Sequence, residues 1–231
     1  MAIENVKGII FDVHKTLIDD SGFPRDRIWR LIEESGVKVN HEIYFELYDK
    51  ITKRLFNWPK IKPFIRVRDI HRRRLEEIYR HFRVKRDVNR DLNFLWKSLE
   101  KCQFYPEVLN VLQKLSPKFQ LALLSNADSD DPLLKIVMSS GIKFETVVTS
   151  AQAECYKPDR KIFDFTLEKI GLLPNEVIMV GDSPISDIAG AKNAGIHVIW
   201  VNRQGQKLND NAPKPDWEVK NLTEMYDLFR Q

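Results

Sequence analysis

The chain is predicted to fold as an α/β protein, a doubly wound parallel sheet with a helical subdomain inserted near its start. Three observations predict this. The stretch VKGIIFDVHKTL (Val6 to Leu17) opens with a short apolar run, Gly8 to Phe11, that ends on a carboxylate, Asp12. A β-branched and aromatic run this short, closed by polar residues, reads as a fully buried strand. From Tyr105-Pro106 onward, further runs of strand length alternate with helical patterns, as in a parallel sheet with helices on both faces. Between these two regions the pattern is helical throughout.

Taken in order, the first strand leads into IDDSGFPRD (Ile18 to Asp26), where polarity, Gly22 and Pro24 mark a boundary. Helical spacing then recurs at Ile28, Leu31 and Ile32, at Ile43, Leu47 and Ile51, at Ile70, Ile78 and Phe82, and at Leu92, Leu95 and Leu99. NWPKIKP (Asn57 to Pro63) breaks the run with its prolines. About four helices and no convincing strand are expected here. Past Tyr105-Pro106 a helix covers Val108 to Leu115, and QLALLSN (Gln120 to Asn126) is a buried strand. DPLLKIVMSSG (Asp131 to Gly141) is a helix closed by glycine, and TVVTS (Thr146 to Ser150) a strand. PDRKIFDFTLEKIG (Pro158 to Gly171) is a helix with proline in its first turn. EVIMVGD (Glu176 to Asp182) is a strand, PISDIAGAKNAG (Pro184 to Gly195) a helix and HVIWVN (His197 to Asn202) a strand. A polar loop with Pro213 and Pro215 leads to a last helix near Leu222 to Phe229.

Composition narrows the class. At 231 residues, 43% hydrophobic and 30% charged, the chain has the make-up of an ordinary globular protein. Its net charge of +4 is too small to imply nucleic acid by itself. The charge is uneven, however: Lys50 to Arg90 holds 15 Lys/Arg against 4 Asp/Glu. Such a face is commonly just solvated; it also suits an anionic substrate, and nucleic acid less well. No apolar run approaches a membrane span, and MAIENVKG lacks the apolar core of a signal peptide, so no membrane role and a cytoplasmic location are expected. Cys102 and Cys155 make neither a disulfide framework nor a metal cluster and are read as packing residues.

The chemistry concentrates in FDVHKTL (Phe11 to Leu17), LLSN (Leu123 to Asn126), YKPD (Tyr156 to Asp159) and VGDSPISD (Val180 to Asp187). Asp12, Ser125, Ser150 and Asp182 all fall at predicted strand ends, the edge where open α/β sheets bind ligands. In this order and at these spacings the four motifs resemble the haloacid dehalogenase superfamily of hydrolases, most of which are phosphatases. The resemblance implies a Rossmann-like core over 1–18 and 104–231, with 19–103 a helical cap over its active edge. It implies that Asp12 attacks phosphorus to form an aspartyl-phosphate, and that Mg2+ lies between Asp12, Asp182 and the His14 backbone carbonyl. Asp187 would stand behind a metal-bound water. Lys157 would neutralise Asp12 and the phosphate, Ser125 and the Asn126 N–H would hold a phosphate oxygen, and Thr16 would brace the first loop. The implied substrate is a small, anionic, phosphorylated metabolite.

The first motif departs from the family's usual Asp-x-Asp-Gly-Thr. His14 stands where the second Asp protonates the leaving group and activates water, a task worth about 10²–10⁴-fold. Imidazole has a suitable pKa to replace it. Lys15 stands where glycine gives the loop its freedom, so a differently shaped loop is expected. Two other readings follow from His14. The dehalogenases also lack the second Asp and need no metal, although the acidic pair in GDSPISD favours phosphate chemistry. A catalytically impaired binding protein is the remaining reading.

Overall fold

The computed structural model describes residues 5–208 and 212–229. Met1 to Glu4, half of the segment read for a leader, lie outside the described residues. The chain divides into two units, Met1–Asp19 with Gln103–Gln231, and Asp20–Cys102.

The first unit is built on a six-stranded sheet. Strand β1 (Gly8–Phe11) pairs in parallel with β4 (Gln120–Ser125) and β6 (Val177–Gly181), Phe11 lying opposite Leu123 and Val180. Strand β5 (Thr146–Thr149) flanks β4, and β7 (His197–Val201) and then β8 (Trp217–Val219) extend the other side, all parallel. Ile9, Ile10, Phe11, Ile178, Met179 and Val180 are fully buried, which is why the central strands read as unbroken apolar runs. A two-stranded antiparallel ribbon, β2 (Ile18–Asp19) with β3 (Gln103–Phe104), stands apart.

The helices of this unit are α5 (Val108–Leu115), α6 (Pro132–Met138), α7 (Ser150–Ala153), α8 (Arg160–Ile170), α9 (Gly190–Asn193) and α10 (Leu222–Leu228). Two expectations are corrected. Pro158 is not in the first turn of α8: Asp159 is the N-cap, its carboxylate accepting from Lys161 N–H, and Pro158 precedes it. The helix expected over Pro184 to Gly195 opens as a π-helical stretch, Pro184–Ala189, before α9; that wider turn lets Asp187 accept from the Ser183 N–H.

The second unit contains α1 (Arg25–Glu34), α2 (His41–Leu55), α3 (Val67–Phe82) and α4 (Val88–Ser98). The buried face of α2 is not the expected one. Tyr44, Tyr48 and Ile51 face inward and Ile43 is 54% exposed. Tyr44 wins the inward position because its hydroxyl finds an acceptor, the Arg25 carbonyl at 2.6 Å, and its ring packs against Trp29. Asn40 caps α2 and Asp87 caps α4. Asp91 is buried, yet its carboxyl is held below the usual range. Burial opposes this, but Arg86 (2.6 and 3.0 Å) and the Tyr79 hydroxyl (2.8 Å) outweigh it. Among the described residues no helix is long and apolar enough to cross a membrane.

Removing one partner of a buried ion pair strands the other. Asp91→Ala should lower the stability of the helical unit by about 3 kcal/mol, the low end of that effect because Arg86 keeps some solvent. The readout is the midpoint of urea unfolding; an unshifted midpoint would show that the Arg86–Asp91 pair contributes nothing.

Candidate active site

The parallel register aligns the carboxyl ends of β4, β1 and β6, and the polar residues of the motifs follow at once. Asp12 leaves β1 with its N–H donated to the Val180 carbonyl at 2.9 Å. Ser125 ends β4, and Asp182 follows Gly181, the last residue of β6. Oxygens of Asp12, Asp182 and Asp187 lie within 4.8 Å of one another.

Lys157 ties this group together. Its Nζ donates to Asp12 Oδ1 (2.7 Å), Asp187 Oδ1 (2.7 Å) and the Leu124 carbonyl (2.9 Å), so all three ammonium hydrogens are engaged. Burial alone would lower the pKa of this 2% exposed lysine; the Asp12 and Asp187 carboxylates more than offset that and hold it above the ordinary lysine value. Its main chain is fixed as firmly. The Asn126 side chain accepts from Lys157 N–H at 2.7 Å and donates to the Lys157 carbonyl at 3.0 Å. The Asn126 side-chain amide thus clamps the lysine's backbone, and its backbone N–H remains the group expected to meet a phosphate oxygen.

Asp187 is 1% exposed, with Ser183 N–H on its Oδ2 at 2.9 Å. It fits there because Gly181 has no side chain: a Cβ on Gly181 would come within 2.3 Å of that oxygen. Burial pushes the Asp187 carboxyl up to about 6, the Lys157 charge pulling it down and the Asp12 charge up. Burial, then Asp12 and Asp187, push Asp182 well above the ordinary carboxylate value. With every group ionised, the three carboxylates and one ammonium sum to −2. That charge and an all-oxygen donor set fit a hard divalent cation.

Around Asp12 the loop is tightly wound. Thr16 Oγ1 donates to Asp12 Oδ2 at 3.0 Å, so its hydroxyl serves the carboxylate directly. Lys15 sits at φ 58°, and the loop thus keeps the left-handed residue that glycine would have supplied. Ser125 Oγ is buried with no hydrogen-bond partner among the described residues; a buried unpaired hydroxyl at a strand end suits an oxyanion acceptor. Ser150, expected to share the edge, donates to the Ala127 carbonyl at 3.0 Å and so shapes the loop after β4.

One residue escaped the sequence. His14 Nε2 stands 3.4 Å from Oδ2 of Asp131, which is 1% exposed and whose Oδ1 caps α6 through Leu133 N–H at 2.8 Å. The Asp-Pro pair opening α6 signals only a helix start; nothing in one sequence couples it to His14.

Comparison with known proteins agrees with this geometry. The chain is 26% identical to N-acylneuraminate-9-phosphatase of Rattus norvegicus, covering 100% of this chain and 96% of that protein. It is 25% identical to an (S)-2-haloacid dehalogenase of Pseudomonas sp. (strain YL), over 98% and 96% respectively. A HAD-hydrolase of Bacillus subtilis, solved bound to magnesium, shares the fold with a TM-score of 0.82 at 20% identity, over 99% of this chain and 100% of that one. The family described as haloacid dehalogenase-like hydrolase matches residues 9–201. That span runs from β1 to the end of β7 and takes in the aspartates, the lysine and the serine just described: the chain belongs to the haloacid dehalogenase-like hydrolases.

Proposed function

We propose that the chain is a magnesium-dependent phosphatase of a small phosphorylated metabolite, acting through an aspartyl-phosphate on Asp12. The observation that carries this reading is the grouping of Asp12, Asp182 and Asp187, two of them buried on Lys157. Attack on phosphorus needs an in-line nucleophile and neutralised oxygens. Three carboxylates exceed what one lysine compensates, which favours a metal-assisted reaction over a metal-free dehalogenation.

In this reading Asp12, Asp182 and the His14 carbonyl hold the cation, and Asp187 supports it from behind. Magnesium, when bound, supplies the charge neutralisation that lets a carboxylate approach a phosphate dianion. Ser125 Oγ donates to a phosphate oxygen, and Thr16 and Lys157 fix the Asp12 carboxylate. Asp12 attacks phosphorus while His14, as imidazolium, gives its proton to the departing alkoxide. The neutral imidazole then takes a proton from the water that attacks the aspartyl-phosphate, releasing phosphate and restoring Asp12. Asp131, 3.4 Å from Nε2, orients the ring. The helical unit serves as the cap that selects the substrate and excludes bulk water.

Release of phosphate from p-nitrophenyl phosphate should require magnesium and stop in Asp12→Asn. Chelator-insensitive halide release from a 2-haloacid would overturn the reading in favour of dehalogenation, and absence of any phosphoenzyme would favour a binding protein. The leaving group tests His14. His14→Ala should slow hydrolysis of an alkyl phosphate by about 10²-fold or more and that of p-nitrophenyl phosphate much less, because nitrophenolate leaves without a proton. Equal losses on both esters would remove His14 from the proton-transfer role.

The raised pKa values give a pH dependence. Asp182 and Asp187 bind protons more tightly folded than unfolded, so without a cation their contribution to stability is greatest in acid and falls as pH rises, that of Asp187 being lost through about 6. A cation competes with those protons. Magnesium should therefore raise Tm little at about pH 5 and increasingly above about pH 6; a shift independent of pH would mean that the cation binds elsewhere.

A further inference from the structure

A pocket opens beside Asp182, lined by Lys15, Tyr105, Asn202, Arg203, Gln204 and Gln206 as well. The mechanism above uses none of these six side chains. Its lining is mostly hydrogen-bonding and cationic.

Two of the lining groups differ in what already occupies them. Arg203 is committed to the fold. It donates to the Thr16 carbonyl (2.9 Å), pairs with Glu107 (2.8 Å) and stacks 3.6 Å from the centre of the Tyr105 ring. Asn202 is likewise spent on Gln206 and Glu218. Lys15 is different. It is exposed and has no ion-pair partner among the described residues. It also holds a left-handed backbone conformation, φ 58°, which glycine adopts at no steric cost and lysine does not. A residue kept where its backbone is disfavoured points to a use for its side chain. That side chain lines a cavity shared with Asp182, one of the carboxylates of the reacting cluster.

We propose that this cavity is the subsite for the non-reacting part of the substrate, and that Lys15 binds there a second anionic group, a carboxylate or a second phosphate. The inference rests on the phosphatase reading and narrows it: the substrate is a phosphate monoester that carries another negative charge. The glutamine amides supply donors for hydroxyl or carbonyl oxygens between the two anionic ends.

Two matched pairs of esters test it in the presence of magnesium: 3-phosphoglycerate against glycerol 3-phosphate, and fructose 1,6-bisphosphate against fructose 1-phosphate. The first pair reads a carboxylate, the second a second phosphate. The wild type should favour the doubly anionic member of at least one pair. In Lys15→Gly, which suits the backbone and so keeps the fold, the ratio of kcat/KM within that pair should fall by about 10- to 100-fold, mainly through KM, and Lys15→Arg should restore much of it. No preference in either pair, or a preference unmoved by Lys15→Gly, overturns the proposal. A Lys15→Gly effect confined to magnesium affinity also overturns it, since Lys15 would then serve only Asp182. If no ester is hydrolysed, calorimetric binding decides separately. Tighter binding of 3-phosphoglycerate than of glycerol 3-phosphate, lost in Lys15→Gly, sustains the subsite while the phosphatase reading fails; equal binding sinks both.

Discussion

Lys157 is a buried ammonium whose three hydrogens are shared among Asp12, Asp187 and the Leu124 carbonyl. A lone buried cation would carry a desolvation penalty of several kcal/mol, and so would each carboxylate beside it. The contacts make the groups mutually dependent: the lysine keeps its charge because of the aspartates, and the aspartates can be brought together because of the lysine. Several features around the strand ends support that arrangement. Gly181 gives Asp187 room, the π-helical turn aims its carboxylate and the Ser183 N–H, and Asn126 fixes the lysine's own backbone. Trp200 adds an indole N–H to the Asp182 carbonyl at 2.9 Å.

The arrangement is nonetheless incomplete without a ligand. The lysine compensates one negative charge of three, which leaves a deficit of two positive charges when all are ionised. In the ligand-free chain this deficit appears as the upward displacement of Asp182 and Asp187. Protons and a divalent cation are alternative ways of meeting it. On the phosphatase reading, the site thus holds Asp12, Asp182 and Asp187 in place before the cation arrives, at the expense of electrostatic repulsion that the cation would relieve.

How much of this a single sequence discloses depends on how local the cause is. Strand β1 was legible because four consecutive residues are buried and a carboxylate ends the run. Strand ends then located Asp12, Ser125 and Asp182 without coordinates. Strand β8 was not legible: Trp217–Val219 is three residues long, at a sheet edge, with Glu218 facing solvent, so neither an apolar run nor an alternation can develop. The inward face of α2 was misread because Ile43 is more apolar than Tyr44, yet the tyrosine has a hydroxyl acceptor and aromatic neighbours that no local pattern reveals. The Asp131–His14 pair and the Asn126 clamp were invisible for a similar reason, since each joins residues more than twenty positions apart through side chains. Charge and polarity in a sequence show which residues have something to do; the fold decides with whom.

The Asn126 clamp carries a chemical liability. Its carboxamide imitates a peptide unit, presenting an acceptor to one backbone group of Lys157 and a donor to the other. Spontaneous deamidation would exchange the donor for an oxygen and set two acceptors face to face at the Lys157 carbonyl. The new carboxylate charge, beside a cluster that is already negative, would thus loosen the backbone that carries the site's central cation. Ageing of the protein in storage would therefore be felt at the candidate site itself.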